Sequence, residues 1–241
     1  MDIHFFISII PKLLAGLPLT IQLALTAIFL GFILALSLAL LQQQKSGLIN
    51  TLVQSFVTLF RGTPLLVQIF LIYYGLGQFR PELQAMGLWG FFRDPYWCAI
   101  LALTLNTAAY GSEILRGAIG NVSVGLIEAA RASGMTTYQT LRLIVLPLAF
   151  RQSIPSYGNE IILMVKGTSL ASVVTLMEVT GIAHGLISQT YRAIEVFICA
   201  GLIYLALNFT LIQLLAWLEY VLSPHLRSSI PDKHTQPARH R

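Results

Sequence analysis

Arg61, Asn106, Asn159 and Glu160 each stand within stretches that are otherwise largely apolar. A guanidinium is a planar fork that grips a carboxylate through two parallel hydrogen bonds. A carboxylate such as Glu160, or Glu113 further along from Asn106, complements an ammonium or another cationic group. An amide side chain offers one end that donates and one that accepts. These residue types can hold a zwitterion, with Arg61 on its carboxylate and Glu160 or Glu113 on its cation. They can also form a purely structural pair in which Arg61 and Glu160 neutralise each other. Thr63, Thr168 and Ser169 add hydroxyl groups nearby. The run Lys166-Gly167-Thr168-Ser169 suits an outer gate or part of the same site, while Lys166 alone can equally snorkel to an interface. No nucleophile–base spacing and no Cys/His metal spacing accompanies them. The pattern therefore points to binding and passage, with no catalytic residue, no metal and no cofactor.

The elements that must carry these groups are membrane segments. The 241 residues are 56% hydrophobic and 10% charged, with mean hydropathy +0.73, against about 25% charged in a soluble domain. Spans are expected over about 19–41, 52–76, 96–116, 154–175 and 196–218, each long enough for a hydrocarbon core about 30 Å thick. Residues 1–18 read as an amphipathic lead-in suited to the interface, and 170–193 as an outer loop with short helical pieces. Trp89, Tyr96 and Trp97 read as interfacial aromatics. Residues 223–241 form a polar, basic tail. Segment four is the least regular, with Ser156 to Glu160 and then Lys166 to Ser169 interrupting its apolar runs, the form expected of a discontinuous helix around a site. In segment two, Gly62 and Pro64 free backbone groups that protein or a wet cavity must satisfy.

The polar groups fall near one depth. Arg61 and Asn106 lie about nine residues from the start of their spans, and the Asn159–Glu160 pair about eight or nine after Arg151, the cytoplasmic boundary of segment four, roughly 13–15 Å at 1.5 Å per residue. A charge at that depth costs at least about 2.5–3.5 kcal/mol on insertion scales. The net charge of +5 is not gathered with aromatics on a polar face, which argues against nucleic acid. Lys45, Arg116, Arg131, Arg142, Arg151, Arg227, Lys233, Arg239 and Arg241 fall on one side of a five-span topology. Lys12, Arg80, Arg93 and Arg192 fall on the other. The richer side is cytoplasmic by the positive-inside rule, so the N-terminus faces out and the C-terminus in. Cys98 and Cys199 read as small core hydrophobes, with a disulfide left open because both fall near the same side. His184 and the Gly181-x3-Gly185 spacing lie in the outer loop and suggest no site. Met1 to Pro11 lacks the basic start of a cleavable leader.

The most polar long segment, about 120–151, reads as helix, glycine turn and helix. Ser123 can cap the first helix, Glu128 lies early in it where a negative charge meets the dipole, and Gly134 can stop it in the left-handed conformation. Thr136 or Thr137 can cap the second helix, and Pro147 marks its end or a kink. An ordinary amphipathic surface hairpin shows the same helix signals. The spacing is more specific: Glu128-Ala129-Ala130, three residues, Gly134, nine residues, then Ile144-x-Leu146-Pro147. It resembles the signature loop of bacterial ABC-importer permeases.

The resemblance covers nearly the whole chain. Arg61-Gly62-Thr63-Pro64, Asn106 to Tyr110, Asn159-Glu160-Ile161 and Lys166 to Leu170 look like the polar-amino-acid branch, and the chain is similar to the permeases for histidine, for lysine, arginine and ornithine, and for opines. The resemblance implies an all-α, type I importer-like integral membrane fold, here a single permease domain over 1–222. It implies a bacterial inner-membrane location, a second homologous or identical permease subunit, a pair of ABC ATPase subunits and a periplasmic amino-acid-binding protein. It places Glu128, Ala129, Ala130, Gly134, Leu146 and Pro147 in a cytoplasmic coupling loop whose first helix docks in a cleft on the ATPase. The chain has no Gly-x4-Gly-Lys-[Ser/Thr] phosphate loop, so ATP chemistry is expected on a partner. Two other readings remain at this point: a proton-coupled secondary carrier relaying through Glu113, Glu160 and Lys166, and an integral-membrane enzyme, for which no suitable spacing is present.

Overall fold

The computed structural model describes residues 3–43 and 47–222. Residues 44–46 of the expected polar turn and the tail 223–241 lie outside them, with Lys45, Arg227, Lys233, Arg239 and Arg241 of the orientation argument. Among the described residues there are helices and no strands. Helices α1 (Ile3–Leu14) and α2 (Leu17–Leu41) together make one apolar stretch, and α7 (Pro95–Gly120) and α12 (Ala193–Leu222) make two more; these three are long and apolar enough to cross a membrane. Two bent pairs bring the total to five if each is one span. The first joins α3 (Leu48–Gly62) to α4 (Leu65–Phe70), which runs on into a π-turn at Leu71–Gly75, with a 107° bend between them. Short helices α5 (Arg80–Ala85) and α6 (Trp89–Phe92) cross from there to α7, and Arg80 lies over the Trp89 ring at 5.2 Å. After α7 come α8 (Val124–Ala132), α9 (Thr137–Thr140), a π-turn at Leu141–Val145, α10 (Leu146–Gly167), a 3-10 turn at Thr168–Val174 and α11 (Val179–Thr190).

Helices α2 and α7 form the spine. Ala27, Gly31, Ala35 and Ala39 recur every four residues on α2, and Leu103, Thr107 and Gly111 do so on α7. Small residues at that spacing let two helix backbones come close, which is how helices associate where lipid removes the hydrophobic drive. A Cβ built on Gly31 would lie 2.8 Å from Thr107 Cγ2, and one on Gly111 would lie 3.1 Å from Ala35 Cβ. Leu23, Ala27, Ile69, Leu103, Met164 and Val174 close one buried cluster around this spine.

Of the two interruptions expected in segment four, the one at Ser156 to Glu160 is absent, and the one at Lys166 to Ser169 is where α10 gives way to the 3-10 turn. Helix α10 runs unbroken from Leu146 through Pro155, Gly158 and Glu160 to Gly167. Pro155 removes one N–H, yet the helix continues through it, packed on α2, α7 and α12, and Tyr157 meets Phe32 edge-on at 5.4 Å between ring centres. The sharper break is in segment two, at Thr63 and Pro64; the second bent pair turns by 46° between Val174 and Val179.

The lead-in is not a free interfacial helix. Ile9 and Leu13 of α1 are buried against Val179, Ala183 and Leu186 of α11 and Val196, Cys199 and Ala200 of α12. Arg192 stands over the Phe5 ring at 4.6 Å. Glu178, which no sequence pattern singled out, is fully buried at the start of α11. Its carboxylate accepts from the N–H groups of Thr180 and Gly181, 2.8 Å each, and from the Tyr204 hydroxyl at 2.7 Å. It caps α11 and fastens it to α12. Cys98 and Cys199 are buried free thiols, which closes the disulfide question.

Candidate functional site

Pro64 has no N–H, so the carbonyl four residues earlier, Phe60 O, loses its helical partner. The backbone at Thr63 is extended, which ends α3 there. Side chains bond to the carbonyls at this break. The Thr63 hydroxyl donates to Leu59 O at 2.8 Å, and Gln68 Nε2 reaches Phe60 O at 2.8 Å and Thr63 O at 3.0 Å. The Tyr110 hydroxyl donates to Arg61 O at 3.4 Å. Gln68 is buried and accepts at Oε1 from Asn106 Nδ2 at 2.9 Å, which ties the break to α7. Gln68 was not among the residues expected from the sequence. Its clue was its position four residues after Pro64, one turn beyond the proline.

Arg61, at the end of α3, points its guanidinium to α7. It pairs with Glu113 at 3.6 Å and lies over the Tyr110 ring at 5.4 Å. Glu113 is held more closely by Arg116, through bonds of 3.0 Å and 2.6 Å. The structural pairing of Arg61 with Glu160 is therefore not made; Glu113 is the partner. Arg61, Tyr110, Glu113 and Arg116, with Gln42 and Thr58, line an open cleft of about 640 Å³. On the other side of Tyr110, a smaller pocket of about 230 Å³ is lined by Leu65, Asn106, Tyr110, Glu160, Leu163 and Met164. Glu160 is 6% exposed and makes no hydrogen bond or ion pair among the described residues, although Arg61 is close enough to act on it through its charge. The residue types suit a ligand with a cationic end in the small pocket and a carboxylate toward the cleft.

The other expected site residues stand apart from these two cavities. Asn159 and Lys166 are on exposed faces of α10. Thr168 and Ser169 turn their hydroxyls back onto Val165 O and Lys166 O at 2.7 Å each, closing the end of α10.

The 120–151 segment has the expected helix, glycine turn and helix, with two differences. Gly134 takes φ +80, and the bonds Gly134 N–H to Arg131 O and Met135 N–H to Ala130 O form the left-handed helix stop. Thr136 and Gln139 form a reciprocal capping box at 3.2 Å and 2.8 Å. Ser123 stands at the head of α8 but its hydroxyl makes no capping bond. Glu128 lies beyond the first turn of α8, out of the strongest part of the dipole field. Pro147 sits in the first turn of α10, directly after the π-turn, whose wider ring makes room upstream. Ala130 faces inward while Val124, Leu126, Glu128 and Ala129 are exposed.

Residues 27–222 match the family described as "Binding-protein-dependent transport system inner membrane component". The chain belongs to this family. The permease is 51% identical to the nopaline transport system permease protein NocM of Agrobacterium fabrum, over 95% of both chains. It is 42% identical to the arginine ABC transporter permease protein ArtM of Escherichia coli K12, over 87% of the permease and 94% of ArtM. A solved structure described as an amino acid ABC transporter with histidines superposes with TM-score 0.82 at 33% identity, covering 91% of the permease and 98% of that chain. A chain of the MetNI methionine ABC transporter, at 19% identity and TM-score 0.71, shares the fold over 89% of the permease. The permease is a transport subunit and not itself an enzyme.

Proposed function

We propose that the permease is the membrane-spanning subunit of an ATP-driven importer in a bacterial inner membrane, and that it carries polar amino acids or opines with a cationic side chain. The observation that carries the substrate class is Glu160: a buried carboxylate without a bonded partner, in a pocket beside Asn106 and Tyr110 and near Arg61. The pocket of about 230 Å³ is below the usual 300 Å³ for a whole small ligand, and suits the head of one side chain. Arg61, on the cleft side of Tyr110, is the group for a ligand carboxylate. Glu113 is a poor acceptor for the ligand cation because Arg61 and Arg116 already engage it. The same engagement speaks against a proton relay through Glu113 to an exposed Lys166.

The names of the relatives, for nopaline, octopine and arginine, support the same class. So do the family's partners: an ATPase pair, a second permease subunit and a periplasmic binding protein. The exposed face of α8, with Glu128 and Ala129, is the proposed ATPase contact, on the cytoplasmic side together with the C-terminus. Closure of the ATPases draws the α8 helices together and changes the side to which the pocket opens. The domain is 1–222, and Asn159, Lys166, Thr168 and Ser169 belong to the wall and outer end of the pathway.

The deciding experiment is uptake of labelled arginine, histidine and glutamine into proteoliposomes carrying the full assembly. ATP-dependent, binding-protein-stimulated uptake of arginine or histidine in preference to glutamine is expected. Uptake driven by a proton gradient without ATP would overturn the coupling reading, and equal uptake of glutamine would overturn the cationic one.

A further inference from the structure

The amide groups at the α3–α4 break can be oriented by chemistry alone. Phe60 O and Thr63 O can only accept hydrogen bonds, so the end of Gln68 that faces them, at 2.8 Å and 3.0 Å, is its NH2. Gln68 Oε1 is then the end that faces Asn106. An oxygen at 2.9 Å needs a donor, so Asn106 turns Nδ2 toward it. The remaining end of Asn106 is its carbonyl oxygen. Asn106 lines the Glu160 pocket, and its Oδ1 makes no hydrogen bond among the described residues. The proline at position 64 thus determines, through two side chains, which end of an amide is left over on another helix.

We infer that Gln68 is a specificity-determining positioning residue: by engaging the carbonyls freed at Pro64 and the amide nitrogen of Asn106, it leaves the Asn106 carbonyl oxygen to the pocket that holds Glu160. The pocket then offers a carboxylate and an amide oxygen, both acceptors, to a head group that has only donors to give. Guanidinium and ammonium groups are of that kind. A neutral ureido group of the same shape carries an oxygen of its own, which meets one of these acceptors without a proton between them. Leaving polar groups unpaired in this way is how buried sites reject near-isosteric ligands. Gln68 touches no ligand and acts through Asn106. This inference rests on the assignment of Glu160 to the ligand cation.

The test compares arginine with citrulline, its neutral ureido analogue, on the assembled permease–ATPase complex in lipid nanodiscs without binding protein. Equilibrium dialysis gives a dissociation constant for each, and the ratio is the readout. The intact complex is expected to favour arginine, and Gln68→Leu to reduce that preference by about tenfold or more, the factor associated with one hydrogen bond to a charged group. Asn106→Leu, which leaves the Gln68 bonds to Phe60 O and Thr63 O in place, is expected to reduce it equally. If Gln68→Leu does not assemble, Asn106→Leu decides. A loss of affinity for both ligands with the ratio unchanged is the mark of a purely structural role, and in either assembled variant it overturns the inference. Equal affinity of the intact complex for arginine and citrulline would instead overturn the cationic reading of the Glu160 pocket, and the inference with it.

Discussion

Arg61 has two neighbours of opposite use. Glu113 holds it now, at 3.6 Å, and a ligand carboxylate would have to compete for it. Arg61→Ala is expected to lower ATP-dependent uptake by about 10- to 100-fold, the range for hydrogen bonds to a charged group, with assembly of the complex retained. Uptake assayed beside co-purification of the ATPase checks this, and unchanged uptake refutes the carboxylate role. Glu113→Gln removes the competitor and is expected to tighten ligand binding while slowing release, so the dissociation constant and the turnover of the reconstituted complex should both fall. The residue types of the candidate site were legible in the sequence because a lone charge in an apolar run is expensive and therefore informative. Their pairing was not. Arg61 and Glu160 share a depth, but depth along a helix says nothing about which way a side chain turns, and Glu113 lies on the side that Arg61 faces.

At the level of elements, the regular spans could be read from length and hydropathy, and the positions of the breaks in part, but not their angles. Segment two carries Gly62 and Pro64, which mark where backbone groups are freed, but no sequence pattern sets the 107° through which it bends there. Segment four has the broken pattern, yet α10 runs through Ser156 to Glu160 without interruption and gives way to the 3-10 turn only at Thr168. Polar residues mark where a helix meets something polar, whereas a break also needs a missing donor and side chains able to replace it. The α2–α7 contact was present in the sequence as small residues every four positions, a signal visible only when α7 is known to lie opposite. Gly31→Leu is expected to force these helices apart and cost about 1–3 kcal/mol, the usual range for overpacking, seen as a lower Tm of the purified complex. In the α8–α9 loop, Glu128→Lys should abolish ATP-coupled transport while membrane insertion and α8 itself persist, because Glu128 is exposed and makes no bond that holds its own helix. Normal uptake in that variant would remove α8 from the coupling path.

For the whole molecule, the overall class was the most legible part, since a chain with so little charge needs lipid as its solvent. The position of α1 was the least legible, because an amphipathic helix suits an interface and a groove between helices equally well. In the folded chain that groove is made by α11 and α12. Ribosomes deliver α1 first and α12 last, so the first helix made waits for its seat until almost the whole chain has emerged. Such long-range closure is slow, and it leaves apolar surface open in the meantime. A nascent permease cut short before residue 193 keeps α1 without half of its seat.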